Sequence, residues 1–385
     1  MAPREPADGS PPPQPSPVEG EGGRNTWGLR GHDSAVEALR RAIRSGHLAH
    51  AFLIGGPPGV GKTALARRLA ATLTAPSADD ETVPDLEARA AKQIEAGTNP
   101  DIERITIGGM CDETPHDHAT DRSTRIRICQ VRRLERVASL APFAAPRRVF
   151  IIDTADDLQN EAAHALLKTL EEPPGGAMLI LVAADVDALL PTIRSRCQEF
   201  TLRPMPHTLL AAALQEDAGL PAEEAVTLAH LAHGRYGLAM RMHADPTMAV
   251  LRESAEAEAG RLATGSRNER FDVADRMGNG WYRERESVLA TIDLWREWWR
   301  SALLAGAGVE GVRSNIDCNA EDALRALRAV QTAREHLLAN TSAQLALDVM
   351  MLDLPMLPPG SVTGGHVAGR ADLETEERVP ATVGE

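Results

Sequence analysis

The stretch GPPGVGKT, from Gly56 to Thr63, restricts the possible folds of this chain more than any other feature. It matches the pattern G-x-x-x-x-G-K-[ST] in full. Glycines in such a loop let backbone N–H groups converge on phosphate oxygens at the N-terminus of a helix. The flanking residues fit this pattern, because the apolar run AHAFLIG precedes the loop and Leu65, Leu69 and Leu73 recur every four residues after it. The stretch therefore predicts a buried strand, a phosphate-binding turn and a helix.

The same loop supplies most of the candidate nucleotide-binding residues. Gly56, Gly59 and Gly61 would bring backbone amides to the phosphates. Lys62 would reach the β- and γ-phosphates, and the Thr63 hydroxyl would ligate Mg²⁺. We therefore expect ATP with Mg²⁺ as the ligand if the loop is occupied, and the sequence alone leaves open whether nucleotide is bound or hydrolysed.

A second candidate metal ligand follows the run VFII. Asp153 stands directly after these four apolar residues, at the predicted end of a strand, and would hold Mg²⁺ through water. Active ATPases of this type usually carry a carboxylate at the next position, where it orients and deprotonates the attacking water. Thr154 stands there instead, and its hydroxyl cannot take that proton at neutral pH. Asp156 and Asp157 are the alternative bases, but they lie past the strand end, so we expect them to face solvent or begin a helix.

Strands and helices alternate in the first half of the chain and give way to helices in the second. The runs IERITI, RRVFIID, AMLILVAA and QEFTL read as strands with helical segments between most of them. Such alternation predicts a parallel, doubly wound sheet. From Pro206 onward the strand pattern disappears. The two ends, 1–24 and 358–385, are expected to be disordered arms.

Composition narrows the class of protein. A net charge of −14 argues against a free-standing, non-specific nucleic-acid binder, although it does not exclude a subunit that meets DNA through partners. The four cysteines are scattered without a CxxC pair, which suits a reducing cytosol. No apolar run approaches the roughly 20 residues of a membrane span. We therefore expect a cytoplasmic protein with no membrane segment.

Three stretches in this order, AHAFLIGGPPGVGKTALA, NEAAHALLKTLEEPP and TIRSRCQEF, resemble bacterial DNA polymerase III clamp-loader subunits of the AAA+ class. The likeness is greatest to the delta prime (δ′) type. It runs from about Trp27 to Pro355 and is dense over roughly the first half of that span. The resemblance implies a ring of five subunits and three domains, here an AAA+ P-loop parallel-sheet domain, a small helical lid and an all-α collar, over residues 25–205, 206–245 and 246–357.

The resemblance also implies a role for Arg196. In this family the arginine of SRC projects into the nucleotide site of the neighbouring subunit, where an arginine supplied in trans contributes about 10³ to 10⁵ in rate. The alternative for Arg196 is a structural salt bridge in a turn. Arg194 lies two residues away, so its side chain should point to the opposite side if the segment is extended.

Departures from the motor subunits of the family favour a non-catalytic member. Thr154 replaces the catalytic carboxylate, and Ala183 and Ala184 stand where motors carry a polar residue that senses the γ-phosphate. Gly237 stands where a lid helix would offer a sensing arginine, although Arg235 or Arg241 are alternatives. The segment PSADDETVPDLEARAAKQIEAGTNPD lacks the cysteines that many relatives use for zinc, so we expect no zinc.

The expected function is that of a δ′-like structural ring member. It would help to load the sliding clamp onto primed DNA and would supply Arg196 to a neighbouring ATPase, with weak or absent hydrolysis of its own. Its partners would be the motor and δ subunits, with the clamp and primer-template DNA met through the assembly. The alternative is an active AAA+ ATPase motor of a clamp loader or related remodeller.

One basic run has two interpretations. It would face DNA phosphates or a partner in the ring, or it is a solvated helix face offset by Glu135 and other nearby acids. Its members are Arg125, Arg127, Arg132, Arg133 and Arg136.

Overall fold

The computed structural model describes residues 23–112, 125–281, 283–309, 314–338 and 342–362. The chain divides into two compact units, the first ending at Pro246 and the second beginning at Thr247. Nearly all of the predicted arms over 1–24 and 358–385 lies outside the described residues. Within the described residues, no helix is long and apolar enough to cross a membrane.

The first unit contains a five-stranded sheet in which every neighbouring pair is parallel. The strands lie in the order β2-β3-β4-β1-β5. Their bounds are β1 Ala51–Gly55, β2 Ile102–Ile105, β3 Val149–Ile152, β4 Met178–Ala183 and β5 Gln198–Thr201.

Helices cover both faces of this sheet, and each face has its own apolar core. Alternate residues of a strand point to opposite faces, so Phe52 and Ile54 lie in one core while Leu53 lies in the other. Strands β1, β3 and β4 are buried throughout, which explains their continuous apolar sequences. The covering helices are α1 Asp33–Arg44, α2 Lys62–Thr74, α3 Arg89–Glu95, α4 Ile128–Ala138, α5 Asn160–Glu171 and the short α6 Pro191–Arg194.

Three more helices complete the first unit, within the segment predicted to form a lid. They are α7 His207–Ala218, α8 Ala222–Leu231 and α9 Tyr236–Ala244. A buried ion pair joins them to the N-terminal segment, since Arg30 Nη2 lies 2.7 Å from Asp217 Oδ1. The Tyr236 hydroxyl donates to Asp217 Oδ2 at 2.7 Å. These donors hold the pKa of Asp217 well below its usual range, chiefly through the hydrogen bond from Arg30.

The second unit is helical throughout its described residues. Its helices are α10 Pro246–Thr264, α11 Arg267–Gly280, α12 Arg285–Gly306, α13 Ala320–Leu338 and α14 Ala343–Asp353. Trp295, Trp298 and Trp299 of α12 are buried in its apolar core. The buried Arg270 donates to backbone carbonyl groups only, among them Leu262 and Leu354. The predicted fold class, a parallel α/β sheet domain followed by helical regions, is confirmed.

Candidate nucleotide site

The topology places the loop and Asp153 at one edge of the sheet. In parallel strands the carboxyl ends share an edge, and ligands of such sheets bind there. Strand β1 ends at Gly55, directly before the loop, and β3 ends at Ile152, directly before Asp153. Strand β4 lies between them and ends at Ala183. The predicted phosphate-binding and metal-binding residues are therefore neighbours.

The loop requires glycine at two positions for different contacts. Gly56 has φ 141°, and a Cβ atom there would lie 2.5 Å from the carbonyl oxygen of Leu202. Gly59 has φ 82°, and a Cβ atom there would lie 2.8 Å from Cβ of Leu238 in α9. His32 supports the far end of the loop through a 2.9 Å hydrogen bond between its Nε2 and the carbonyl oxygen of Val60. The loop is thus held closely from several sides.

Lys62 lies folded over this loop and is only 8% exposed. Its Nζ donates to the carbonyl oxygens of Gly56 at 2.5 Å and Pro57 at 3.1 Å. Burial lowers the pKa of Lys62 to about 8, while the nearby carboxylates of Asp156 and Asp153 act in the opposite direction. The ammonium group is therefore held at the loop by carbonyl oxygens that a bound phosphate could replace.

Asp153 has a protein donor on each of its carboxylate oxygens. The Thr63 hydroxyl donates to Oδ1 at 3.2 Å. Arg104 Nε donates to Oδ2 at 3.0 Å, and Arg104 Nη2 forms an ion pair with the same oxygen. Sequence reasoning missed Arg104, because its contact with Asp153 depends on β2 pairing beside β3.

Two of the residues present have the oxygen ligands that a magnesium ion bound with nucleotide would need, while a third places a positive charge beside them. Mg²⁺ prefers oxygen ligands, usually one or two from the protein together with substrate phosphates. Thr63 Oγ1 and Asp153 Oδ1 lie together beside the loop and provide such a pair. Arg104 is a competing cation at the other carboxylate oxygen.

Thr154 occupies a strained backbone position. It has φ 56° and ψ 50°, in the left-handed region, and its side chain is exposed. A β-branched residue is a genuine outlier there, and such conformations cost about 1–3 kcal/mol. The position that would carry a catalytic carboxylate therefore holds a group that is neither a base nor directed into a buried site.

Asp156 is the nearest alternative base. It lies with Asp157 in the 3₁₀ turn Ala155–Asp157. Its Oδ2 accepts from the backbone N–H groups of Ala184 and Asp185, both at 3.2 Å. Its Oδ1 is buried without a hydrogen-bond partner among the residues that the structure describes. Asp156 thus joins the ends of β3 and β4 rather than facing solvent freely.

Helix α9 packs directly on the phosphate-binding loop. The N–H of Leu238 donates to the carbonyl oxygen of Gly59 at 3.2 Å, and Arg235 Nη1 donates to that of Pro58 at 3.4 Å. A Cβ atom on Gly237 would lie 3.0 Å from the Gly59 oxygen. Any side chain at position 237 would therefore press on the loop, and both alternatives named in the sequence, Arg235 and Arg241, approach the loop here.

Arg196 lies at the opposite edge of the sheet from the loop. It precedes β5, which runs parallel to β1 with Phe52 opposite Gln198. Its Nη1 donates to the carbonyl oxygen of Thr192 at 2.9 Å, and its Nη2 forms an ion pair with Glu171 of α5. This chain's own loop follows the other end of β1, so Arg196 lies away from the chain's own phosphate-binding loop.

The expected alternation between Arg194 and Arg196 does not apply. Arg194 is the last residue of α6, and Arg196 lies in the turn that follows it, where its N–H donates to the carbonyl oxygen of Ile193. Arg194 pairs instead with the exposed Asp187 at 2.5 Å. Different acidic partners, rather than opposite faces of an extended segment, distinguish the two arginines.

Two members of the basic run are neutralised by acids. Arg133 pairs with Glu103 at 2.9 Å and with Asp112 at 2.6 Å. Arg136 pairs with the same Asp112 at 2.6 Å. These acids come from β2 and the segment after it, rather than from Glu135 of the same helix.

No group of three or more potential ligands that could hold a metal ion lies within the described ranges. The expected absence of zinc stays a prediction, which elemental analysis of the purified protein tests. No disulfide joins the four cysteines, all of which lie in the described ranges, and burial raises the pKa of Cys197 to about 12.

Comparison with known proteins identifies relatives of the first unit. Residues 31–206 match the family described as DNA polymerase III, delta subunit. The DNA polymerase III subunit delta′ of Pseudomonas aeruginosa is 35% identical over 202 residues, which cover 51% of this chain and 56% of that protein. The DNA polymerase III subunit gamma of Buchnera aphidicola is 31% identical over 173 residues, 45% of this chain and 44% of that protein.

Over residues 31–206 the chain is therefore similar to DNA polymerase III clamp-loader subunits. The resemblance seen in the sequence is thereby confirmed, δ′ subunits included. The chain spans about half the length of these two curated relatives. Among solved structures, a DNA polymerase III gamma subunit-related protein from Thermotoga maritima is 17% identical, with a TM-score of 0.37 over 83% of this chain and 98% of that chain.

Proposed function

We propose that this protein is a δ′-like subunit of the DNA polymerase III clamp loader, a structural ring member with weak or absent ATP hydrolysis of its own. The observation that carries the proposal is Thr154. It follows Asp153 at the strand end, is exposed, and has no group that accepts a proton at neutral pH. Relatives named delta′ and gamma match at similar identity, so the site residues decide between the two roles.

Arg196 is the catalytic contribution of this subunit in the proposal. It would enter the nucleotide site of a neighbouring motor subunit and stabilise charge on the transferring phosphoryl group. Its position at the edge opposite this chain's own loop supports action in trans. Its ion pair with Glu171 is at the surface and can be exchanged for a phosphate without unfolding any element.

Nucleotide binding by this chain would be structural. The amides of the loop and Lys62 would bind the phosphates, and Thr63 and Asp153 are the residues that would hold Mg²⁺ if it is bound with the nucleotide. Magnesium bound to ATP neutralises charge on the phosphate oxygens. Without a base at position 154, the bound nucleotide would stabilise the loop and the helix α9 that packs on it.

The partners in this proposal are the motor and δ subunits of a cytoplasmic ring. The sliding clamp and primer-template DNA would be met through that assembly. A net charge of −14 supports indirect rather than independent contact with DNA.

The decisive test is ATP turnover in a reconstituted ring. We expect Arg196→Ala to reduce turnover at the neighbouring motor site by at least about 10³, the lower value for an arginine finger, and so to remove that site's share of the ring rate. Arg194→Ala removes a neighbouring paired arginine and should leave the rate unchanged. An unchanged rate with Arg196→Ala would remove the finger assignment.

An active motor is the second candidate, and the unpartnered Oδ1 of Asp156 favours it. The negative charge of Asp156 acts against the lowering of the Lys62 pKa that burial causes. The purified chain should be measured alone and in a ring whose motor subunits have a disabled phosphate-loop lysine. We expect no turnover in either case. Turnover that Lys62→Ala and Asp156→Asn both abolish would establish the motor role.

A further inference from the structure

The guanidinium group of Arg104 lies beside the carboxylate of Asp153, where a bound metal ion would place its positive charge. Arg104 lies in β2, and its side chain crosses to Asp153 at the end of the neighbouring strand β3. Both Nε and Nη2 contact Oδ2 of Asp153, while Thr63 bonds to Oδ1. The carboxylate thus has a full positive charge beside it before any ligand arrives.

The charge on Arg104 is permanent. A guanidinium group is not deprotonated in proteins, and its planar fork matches a carboxylate well. A divalent cation at the same carboxylate would stand within a few ångströms of this group, and like charges at that distance repel. Binding of Mg²⁺ at Asp153 therefore has to displace Arg104 or compete with it.

The phosphate loop has further cations of its own. Lys62 lies over the loop, Arg235 Nη1 bonds to the Pro58 carbonyl oxygen, and Arg241 Nη2 would lie 3.2 Å from a Cβ atom on Gly59. Three positive side chains thus lie at the loop itself, and Arg104 lies beside the carboxylate of Asp153. A polyphosphate can be neutralised there without a divalent ion.

We infer that Arg104 takes the place of magnesium, so that this loop binds a nucleoside di- or triphosphate in a metal-independent way. The inference rests on the nucleotide-binding loop of the proposed function and deepens it. The nucleotide itself, with or without a magnesium ion on its phosphates, is the ligand class that the charges fit. The site then retains nucleotide but lacks the metal that phosphoryl transfer requires, which adds to the effect of Thr154.

Calorimetric titration of the full chain with ADP and with ATP, in excess EDTA and in excess MgCl₂, tests the inference. We expect the wild-type dissociation constants in the two conditions to agree within about twofold. Arg104→Gln removes the charge and should create a magnesium requirement, with binding at least about tenfold tighter in MgCl₂ than in EDTA, or about 1.4 kcal/mol. Arg104→Lys keeps the charge and should remain indifferent to magnesium.

Arg133→Gln is the matched control. It removes another paired arginine, the partner of Glu103 on the same strand, without contact to Asp153. It should behave as the wild type does. Circular dichroism establishes that each variant is folded, and the side chain of Arg104 is 46% exposed, so its removal leaves no cavity.

Three results would overturn the inference. They are wild-type binding that is lost in EDTA, an Arg104→Gln variant that stays indifferent to magnesium, and a wild-type chain that binds neither nucleotide in either condition. None of these results bears on the ring experiment with Arg196→Ala, which measures ATP turnover. The metal-independent site can therefore be disproved without disproving the structural role, and the structural role can be disproved without disproving the metal-independent site.

Discussion

The two edges of the sheet are built in opposite ways. At the carboxyl edge Lys62 and Asp153 are each only 8% exposed, and their polar atoms are bonded within the chain. At the amino edge the side chain of Arg196 is 35% exposed, and its acidic partner Glu171 is exposed as well. A group that serves its own chain can be enclosed, whereas a group lent to another molecule must stay within reach of it. The predictions below begin with groups that are enclosed within the chain and end at the open edge of the sheet.

The largest expected effect follows the removal of the Asp217 carboxylate, which joins the helices α7, α8 and α9 to the N-terminal segment. Asp217→Asn leaves the buried Arg30 without its main partner, and breaking a buried pair costs several kcal/mol. We expect a loss of about 3 kcal/mol in the free energy of unfolding, measured by urea denaturation. Asp187→Asn makes the same change in an exposed pair and should cost less than about 1 kcal/mol.

The Asp217 carboxylate also makes the stability of the fold depend on pH in the acid range. The folded-state pKa of Asp217 is lowered, so its stabilising effect is complete above the ordinary value near 4 and is lost as the pH falls below it. As the pH falls below this value, we expect the free energy of unfolding of the wild type to decrease. Asp217→Asn should lack that part of the decrease. Parallel acid curves for the two proteins would contradict the assignment.

The second prediction concerns the tight packing of the loop. Gly56→Ala places a Cβ atom against the backbone oxygen of Leu202 and keeps a positive φ, so backbone must move. We expect a loss of about 2–3 kcal/mol and weaker nucleotide binding. Gly46→Ala has a positive φ but open space around it, and should cost only about 1 kcal/mol. Equal losses would show that backbone conformation, rather than packing, sets the requirement.

Local patterns in the sequence predicted the enclosed edge only in part. The loop, Lys62 and Asp153 follow from short motifs whose spacing is sufficient to place them at strand ends. The contacts of Arg104 with Asp153 and of Leu238 with Gly59 join residues far apart in the chain. They depend on strand order and on helix packing, which no local spacing encodes.

The open edge shows a different limit of sequence reasoning. The resemblance identified Arg196 as the candidate, but the segment around it is a turn, so the extended geometry assumed for Arg194 did not apply. The pairing of Arg196 with Glu171 could be seen only in the structure, because folding brings the end of α5 next to the start of β5. A family motif thus names a candidate residue without describing its surroundings.

The third prediction tests the strain at Thr154. Asparagine tolerates the left-handed region better than a β-branched residue, so Thr154→Asn should raise the free energy of unfolding by about 1 kcal/mol. Thr227→Asn, at an exposed helical position, should change it little. ATP turnover should stay absent, because an amide does not accept a proton. A destabilised Thr154→Asn variant would mean that the threonine makes a compensating contact.

The smallest effect is expected at the open edge. Glu171→Gln removes the acid that holds Arg196, and an exposed pair contributes less than about 1 kcal/mol to stability. The reconstituted ring should hydrolyse ATP up to about fivefold faster, because Arg196 no longer has to leave this pair to reach a neighbour. Glu172→Gln, which changes the adjacent exposed glutamate, should leave the rate unchanged. A fall in the rate with Glu171→Gln alone would mean that the pair positions Arg196 for its neighbour, so that even the open edge depends on a fixed geometry.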